Sequence, residues 1–277
     1  MVFMEETLYR LDSVAYSYGS NGAPGSSALR DISFSVRQGE SLVILGANGS
    51  GKSTLLRLLN GLFPPTSGSL SFLGTMLSEE TLKGDFLRCF RERVGFVFSE
   101  PDVQLFCPTV FDELAFGPLQ LGVQAGETAS RVESLLAMLG LSALRERAPY
   151  TLSSGEKKKV AIASVLALNP DVILLDEPTN GLDPRTQVWL FELLEGLKAL
   201  KKTCIMATHD LSLAEDFADR VIVMDEGHSI AADGPMLDVM NDKALLLKAN
   251  IIHEHAHRHG QVTHKHSHGP FSTHDEH

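Results

Sequence analysis

The sequence predicts an α/β fold: a mainly parallel sheet with an inserted helical subdomain. Short β-rich apolar runs bounded by breaking residues, "ESLVILG", "DVILLD", "TCIMATH" and "RVIVMDEG", recur along the chain, and each has the length of a core strand. Helical patterns such as "RTQVWLFELLEGLKALKK" lie between them, and strands alternating with helices point to a parallel sheet. A stretch from about 86 to 165 interrupts this alternation with helical patterning and few strand signals.

Taken in order, residues 7–45 alternate apolar runs with turn material: "LYRLDSVAYSY", the Gly/Ser/Pro-rich "GSNGAPGSS", "LRDISFSV" and "ESLVILG". Strands separated by a mobile loop are expected there. The main domain is expected to span 1–240, with the helical subdomain at about 86–165. In 241–277 the apolar pattern stops after "MNDKALLLKAN". A polar, His-rich segment cannot bury enough surface to offset its ordering entropy, so disorder is expected. No internal repeat is found.

With 277 residues, 43 % of them hydrophobic, the chain can enclose one large core or two small ones. Its formal charge of 24 − 35 = −11 argues against a nucleic-acid partner. The cysteines Cys89, Cys107 and Cys204 are far apart and form no C-x-x-C pair, which excludes a disulfide framework or thiolate zinc site and leaves small buried hydrophobes in a reducing compartment. "MVFMEETLYRLD" has no basic region followed by an apolar one, so it does not resemble a signal peptide. No run approaches the ~18 apolar residues of a membrane helix. If the protein works at a membrane, other chains do the crossing.

"GANGSGKS", Gly46 to Ser53, matches G-x-x-x-x-G-K-[ST] between an apolar strand and the helical pattern "STLLRLLNGL". Glycines allow backbone amides to approach phosphate oxygens, and the helix start adds positive potential. Gly46, Asn48, Gly49, Ser50, Gly51, Lys52, Ser53 and Thr54 are therefore candidate ATP-binding residues. Lys52 would reach the β/γ-phosphates and Ser53 would ligate Mg²⁺. In "DVILLDEP", Asp176 ends an apolar strand and is the second candidate Mg²⁺ ligand, while Glu177 is placed to act as general base. Ser153-x-x-Glu156, ahead of an apolar run, is a capping box, and the helix it opens can face an anion. Asp183-Pro184 has the form of an N-cap and first helical residue. Lys157–Lys159 suggests a solvated first turn.

"TLSSGEKKKVAIASVLA" resembles the signature of ABC-type ATPases, usually written L-S-G-G-Q, here Leu152, Ser153, Ser154, Gly155 and Glu156. The resemblance extends along almost the whole domain and implies a P-loop NTPase core on a mainly parallel sheet, with an antiparallel β subdomain beside the inserted helical one. It implies that Tyr18 in "YSYG" stacks on adenine, that "NGLDP" with Asp183 is the D-loop, and that His209 in "ATHD" is the switch histidine contacting the γ-phosphate. It implies too an ATPase dimer, a homodimer before a heterodimer, in which each signature faces the nucleotide held by the other subunit, with Lys52, Glu177 and His209 catalytic. "FSEP" stands where the family has F-Q-x-P, so Ser99 replaces the coupling glutamine. Weaker coupling or slower turnover is expected, reversible by Ser99→Gln. Gln104, five residues on, gives no obvious substitute.

"PDVQLF…TVFDELAFGPLQLG" resembles the ATPase components of energy-coupling-factor importers, above all the cobalt/nickel type. That implies a transmembrane coupling protein, a substrate-specific membrane subunit, and a peripheral position on the cytoplasmic face of the membrane. The closing stretch holds nine of the chain's 11 histidines. His253, His255, His257 and His259 recur at every second residue, as do His264, His266 and His268. An interspersed pattern is unlike a purification tag, and imidazole suits Ni²⁺ or Co²⁺ without choosing between them. The expected function is thus ATP hydrolysis that energises nickel or cobalt import. A vitamin importer of the same architecture and a soluble ABC-type ATPase remain as alternatives.

Overall fold

The computed structural model describes residues 7–19, 26–259 and 262–268, with 253–259 and 262–268 described by backbone alone. The chain begins with strands β1 (Thr7–Tyr18), β2 (Ser26–Arg37) and β3 (Ser41–Gly46), then helix α1 (Lys52–Leu59). Strands β4 (Ser67–Phe72) and β5 (Thr75–Met76), helix α2 (Gly84–Arg93) and strand β6 (Val94–Val97) follow. Helices α3 (Val110–Gln120), α4 (Ala125–Met138) and α5 (Ser154–Leu166) form a block ahead of β7 (Val172–Asp176). Then come α6 (Pro184–Ala199), β8 (Thr203–Thr208), α7 (Leu211–Phe217), β9 (Arg220–Met224) and β10 (Ile230–Pro235). Helices α8 (Met236–Asn241) and α9 (Lys243–Lys248) and strands β11 (His253–His259) and β12 (Val262–His268) close the described chain.

The strands form a four-stranded antiparallel sheet in the order β2-β1-β4-β5 and a six-stranded sheet in the order β10-β9-β3-β8-β7-β6, parallel except for β10. Every residue of β3, β7 and β8 is buried, as expected of parallel strands covered on both faces. Alternation along β3 divides the core. Leu42 and Ile44 pack with α1, Leu70, Phe72 and Phe90 toward the antiparallel sheet. Val43 and Leu45 pack with Leu190, Leu194 and Phe217 on the other face. A third cluster, with Val110, Leu114, Val132, Leu136 and Val160, holds α3, α4 and α5 together. Both sheets and the helical insertion agree with the predicted class.

Several boundaries differ. β6 lies inside the stretch expected to be helical: its four residues are buried and pair with β7, Val94 opposite Val172. A run of four residues is too short to show a period, and only the neighbouring strand makes it β. The domain also continues past residue 240, because Leu246, Ala249 and Ile252 are buried in the second cluster. After them β11 and β12 pair antiparallel where disorder was expected, with His255 opposite His266 and His257 opposite His264. Alternation at period two is a strand pattern whatever its polarity, and the expectation weighed burial alone. Of the three cysteines Cys204 is buried, Cys107 half-buried and Cys89 exposed, so the expected burial holds fully for one. Most of the expected loop, residues 20–25, lies outside the described residues. Among the described residues no helix is long and apolar enough to cross a membrane.

Candidate functional site: a nucleotide cradle and its acids

β3 ends at Gly46, and α1 starts at Lys52 with Gly51 as N-cap at φ 106. A Cβ at residue 51 would lie 2.3 Å from the carbonyl oxygen of Ala28, so the backbone angle and the space both require glycine. No side chain caps α1 at its start, which leaves its first amides for an anion. Lys52 is buried; its Nζ donates to the carbonyls of Gly46 (2.7 Å) and Ala47 (3.2 Å) and lies 3.3 Å from Glu177 Oε1. Ser53 Oγ donates to Asp176 Oδ1 at 2.7 Å. The Ser50 hydroxyl is buried without a hydrogen-bond partner among the described residues. A cavity of about 350 Å³ opens here, lined by Tyr18, Asn48, Gly49, Lys52, Thr54 and Glu177 among others. Tyr18 remains partly exposed, its hydroxyl 2.9 Å from Thr54 Oγ1.

At the end of β7, burial pushes the Asp176 carboxyl above its ordinary range and the Ser53 hydrogen bond opposes the shift. Glu177 has φ 43, a left-handed conformation that costs a non-glycine residue of order 1–3 kcal/mol. Its amide donates to the carbonyl of Ala207 at 2.9 Å, which locks the turn to β8. Its carboxylate accepts from Thr208 Oγ1 at 3.3 Å and lies 2.9 Å from His209 Nδ1. These groups satisfy one another. They also fit Mg²⁺ and a triphosphate: a hydroxyl and a carboxylate are hard oxygen ligands, a buried ammonium suits anionic oxygens, and a second carboxylate, Glu177, stands beside them. When bound, Mg²⁺ would supply charge neutralisation at the phosphates, held by Ser53 and Asp176.

The predicted capping box is present at α5: Ser153 Oγ accepts from the Glu156 amide (3.3 Å) and Glu156 Oε2 accepts from the Ser153 amide (2.8 Å). Those hydrogen bonds hold the Glu156 carboxyl below its ordinary range. A Cβ at Gly155 would come within 2.8 Å of Thr186 Oγ1. The Thr186 amide and hydroxyl both donate to Asp183, the N-cap of α6. Signature and Asn180–Asp183 loop are therefore one packed unit. Ser153 and Ser154 are exposed and do not line the cavity around Lys52, so a single chain does not bring the signature onto its own nucleotide cradle. Beside that unit, Ile251 and Ile252 line a second cavity with Asn180, Leu182, His209 and Asp210. The root of the His-rich segment thus sits next to His209. The side chains from His253 to His268 lie outside what is described.

Two residues behave differently from expectation, and a third was not foreseen. Lys158 is only 1 % exposed, not part of a solvated face, and its Nζ donates to the carbonyls of Ser99 (2.6 Å) and Phe98 (3.3 Å). Gln104 does engage the same turn: its Oε1 accepts from the Phe98 amide at 3.2 Å, and its Nε2 donates to Ala161 O at 2.8 Å and Ser164 Oγ at 3.2 Å. A five-residue offset is closed by the 3-10 turn Pro101–Val103, which folds Gln104 back. His228, which the sequence did not single out, lines the cavity with its Nδ1 3.3 Å from the carbonyl of Ser50. No local signal could have found it, because 178 residues separate the pair.

A family model described as ABC transporter matches residues 29–180. A provisionally named ABC transporter ATP-binding protein of Methanosarcina acetivorans is 53 % identical, covering 92 % of both chains. The nickel import ATP-binding protein NikO of Rhodobacter capsulatus is 46 % identical over 88 % of this chain and 95 % of its own. The cobalt import ATP-binding protein CbiO of the same organism is 44 % identical over 87 % and 84 %. The solved structure of cbiO1 from Clostridium perfringens, described as part of the ABC transporter complex cbiONQ, superposes with a TM-score of 0.74 at 34 % identity, covering 89 % of this chain and 96 % of that one. With that match across both sheets and the helical insertion, the chain belongs to the ABC transporter family as an ATP-binding subunit, one that hydrolyses ATP in coupling to transport.

Proposed function

We propose that this subunit energises import of a transition-metal ion, nickel or cobalt, through a membrane energy-coupling-factor complex. The observation that carries the proposal is near-full-length similarity to a nickel and a cobalt import ATPase in a chain that ends in alternating histidines. The backbone register supports a metal role for that ending. His253, His255 and His257 stand directly opposite His268, His266 and His264, and directly opposed residues of an antiparallel pair have Cβ atoms roughly 5 Å apart. His253, His255, His257, His259, His264, His266 and His268 are the proposed ligands, imidazoles suited to Ni²⁺ or Co²⁺.

The subunit works as a dimer, a homodimer by preference, at the cytoplasmic face of the membrane, peripheral to a coupling protein and a substrate-specific subunit. Exposure of Ser153 and Ser154 away from the cradle supports the dimer, since a second copy can offer its signature to the nucleotide this chain holds. Within that dimer Lys52, Glu177 and His209 carry hydrolysis, and Tyr18 packs against the base.

Calorimetric titration of Ni²⁺, Co²⁺ and Zn²⁺ into the full chain and into a chain ending at Ile252 tests the cargo. Saturable Ni²⁺ or Co²⁺ binding lost with the ending is expected. Equal weak binding to both would remove the metal argument and leave an importer ATPase of another cargo, such as a vitamin.

A further inference from the structure

We infer that Lys158, braced by Gln104, performs in this chain the coupling between helical subdomain and nucleotide core that a glutamine at position 99 would otherwise provide. The inference rests on the ATPase assignment and is independent of the cargo.

The turn Phe98–Ser99 leaves the end of β6, the edge strand of the nucleotide core. Its polar backbone groups are held from both sides by one helix of the other subdomain. Lys158 Nζ takes the carbonyls of Phe98 and Ser99, while Gln104 takes the Phe98 amide and carries it to Ala161 and Ser164. Residues 158, 161 and 164 are spaced by three, so these contacts form a single stripe on α5. The other end of that helix is the capped signature. A displacement of α5 on meeting a partner is therefore passed to the turn through its backbone. The Ser99 hydroxyl makes no hydrogen bond among the described residues, so its carbonyl does the work.

Lys158 adds a charge to this linkage. It is almost fully buried, and the acids that attract it are Asp176 and Glu177, the Mg²⁺ ligand and the general base. Burial lowers its pKa to about 8, with those two carboxylates opposing the shift. An ammonium that binds the turn carbonyls and feels the charge of both acids makes movement of α5 an electrostatic event at the site as well as a mechanical one. A neutral glutamine at position 99 would have supplied reach without charge. Lys158 is thus a positioning residue: it acts through the turn and the acids and does not line the cavity around Lys52.

The test uses the full-length chain, MgATP hydrolysis and titration with a fluorescent ATP analogue. Lys158→Met is expected to lower kcat about tenfold or more while KM for ATP and analogue affinity stay within a factor of about two, the pattern of an interaction made only on the way to the transition state. Gln104→Leu, which removes the brace and no charge, is expected to lower kcat by a factor of about three to five with the same KM. Placing Ser99→Gln in the Lys158→Met background is expected to recover a large part of the lost kcat, a non-additivity that a structural defect would not show. A kcat within twofold of wild type in Lys158→Met overturns the inference. So does a loss in that variant that Ser99→Gln leaves untouched. Should Lys158→Met fold poorly by circular dichroism, Lys158→Gln and Gln104→Leu decide the matter by the same kcat criterion.

Discussion

Glu177 sits at φ 43 with its carboxylate among Lys52, Thr208 and His209. With Glu177 as the proposed general base, Glu177→Gln, which keeps the shape but removes the charge and one acceptor oxygen, should lower hydrolysis by about 10²–10⁴-fold with ATP-analogue binding retained; single-turnover hydrolysis and a binding titration check both. Lys158 offers a second test at this scale. Its folded pKa of about 8 lies below the ordinary 10.5, so between those values the unfolded chain binds more protons and stability rises with pH. Below about 8 both states are protonated and the cost of burying the charge is fully present. The stability difference between wild type and Lys158→Met, from urea midpoints, should therefore shift by roughly 3 kcal/mol in favour of wild type across that window. A flat difference would mean the ammonium is not desolvated. Lys52, Ser53, Asp176 and Glu177 were legible because phosphate chemistry dictates residue types at set spacing after a strand. Lys158, Gln104 and His228 were not, since each owes its role to a partner brought near only by folding.

Among the elements, α5 carries the signature and depends on its first turn. Ser153→Ala removes the acceptor for the Glu156 amide and should cost about 0.5–2 kcal/mol. The check is the urea midpoint, and hydrolysis should fall further than stability, because the cap also orients the signature. Gly155→Ala would drive a methyl toward Thr186 Oγ1 at 2.8 Å, forcing α5 from α6. Helix starts such as Ser153 and Asp183 were readable, as capping is local chemistry between residues three apart. β6 was not, for its four residues become a strand only beside β7.

For the whole molecule, the burial of Leu246, Ala249 and Ile252 makes α8 and α9 part of the domain. A chain ending at residue 240 should lose several kcal/mol, since truncating one buried Leu alone costs about 2–5 kcal/mol. A chain ending at Ile252 should keep the wild-type melting temperature within about 2 °C and differ only in metal binding, and thermal unfolding of the two separates the cases. If metal binding at the ending acts on hydrolysis, the route lies through Ile251 and Ile252, which share a cavity with His209. By itself, the sequence determined the fold class, the phosphate cradle and the acids, because strand and helix periods and the cradle motif are local and carry their own geometry. Only the tertiary structure decided that a lysine of the signature helix reaches the turn at Ser99, that the signature lies off its own cradle, and that the buried core continues as far as Ile252. Those depend on which distant surfaces exclude water together, and no window of sequence contains that information.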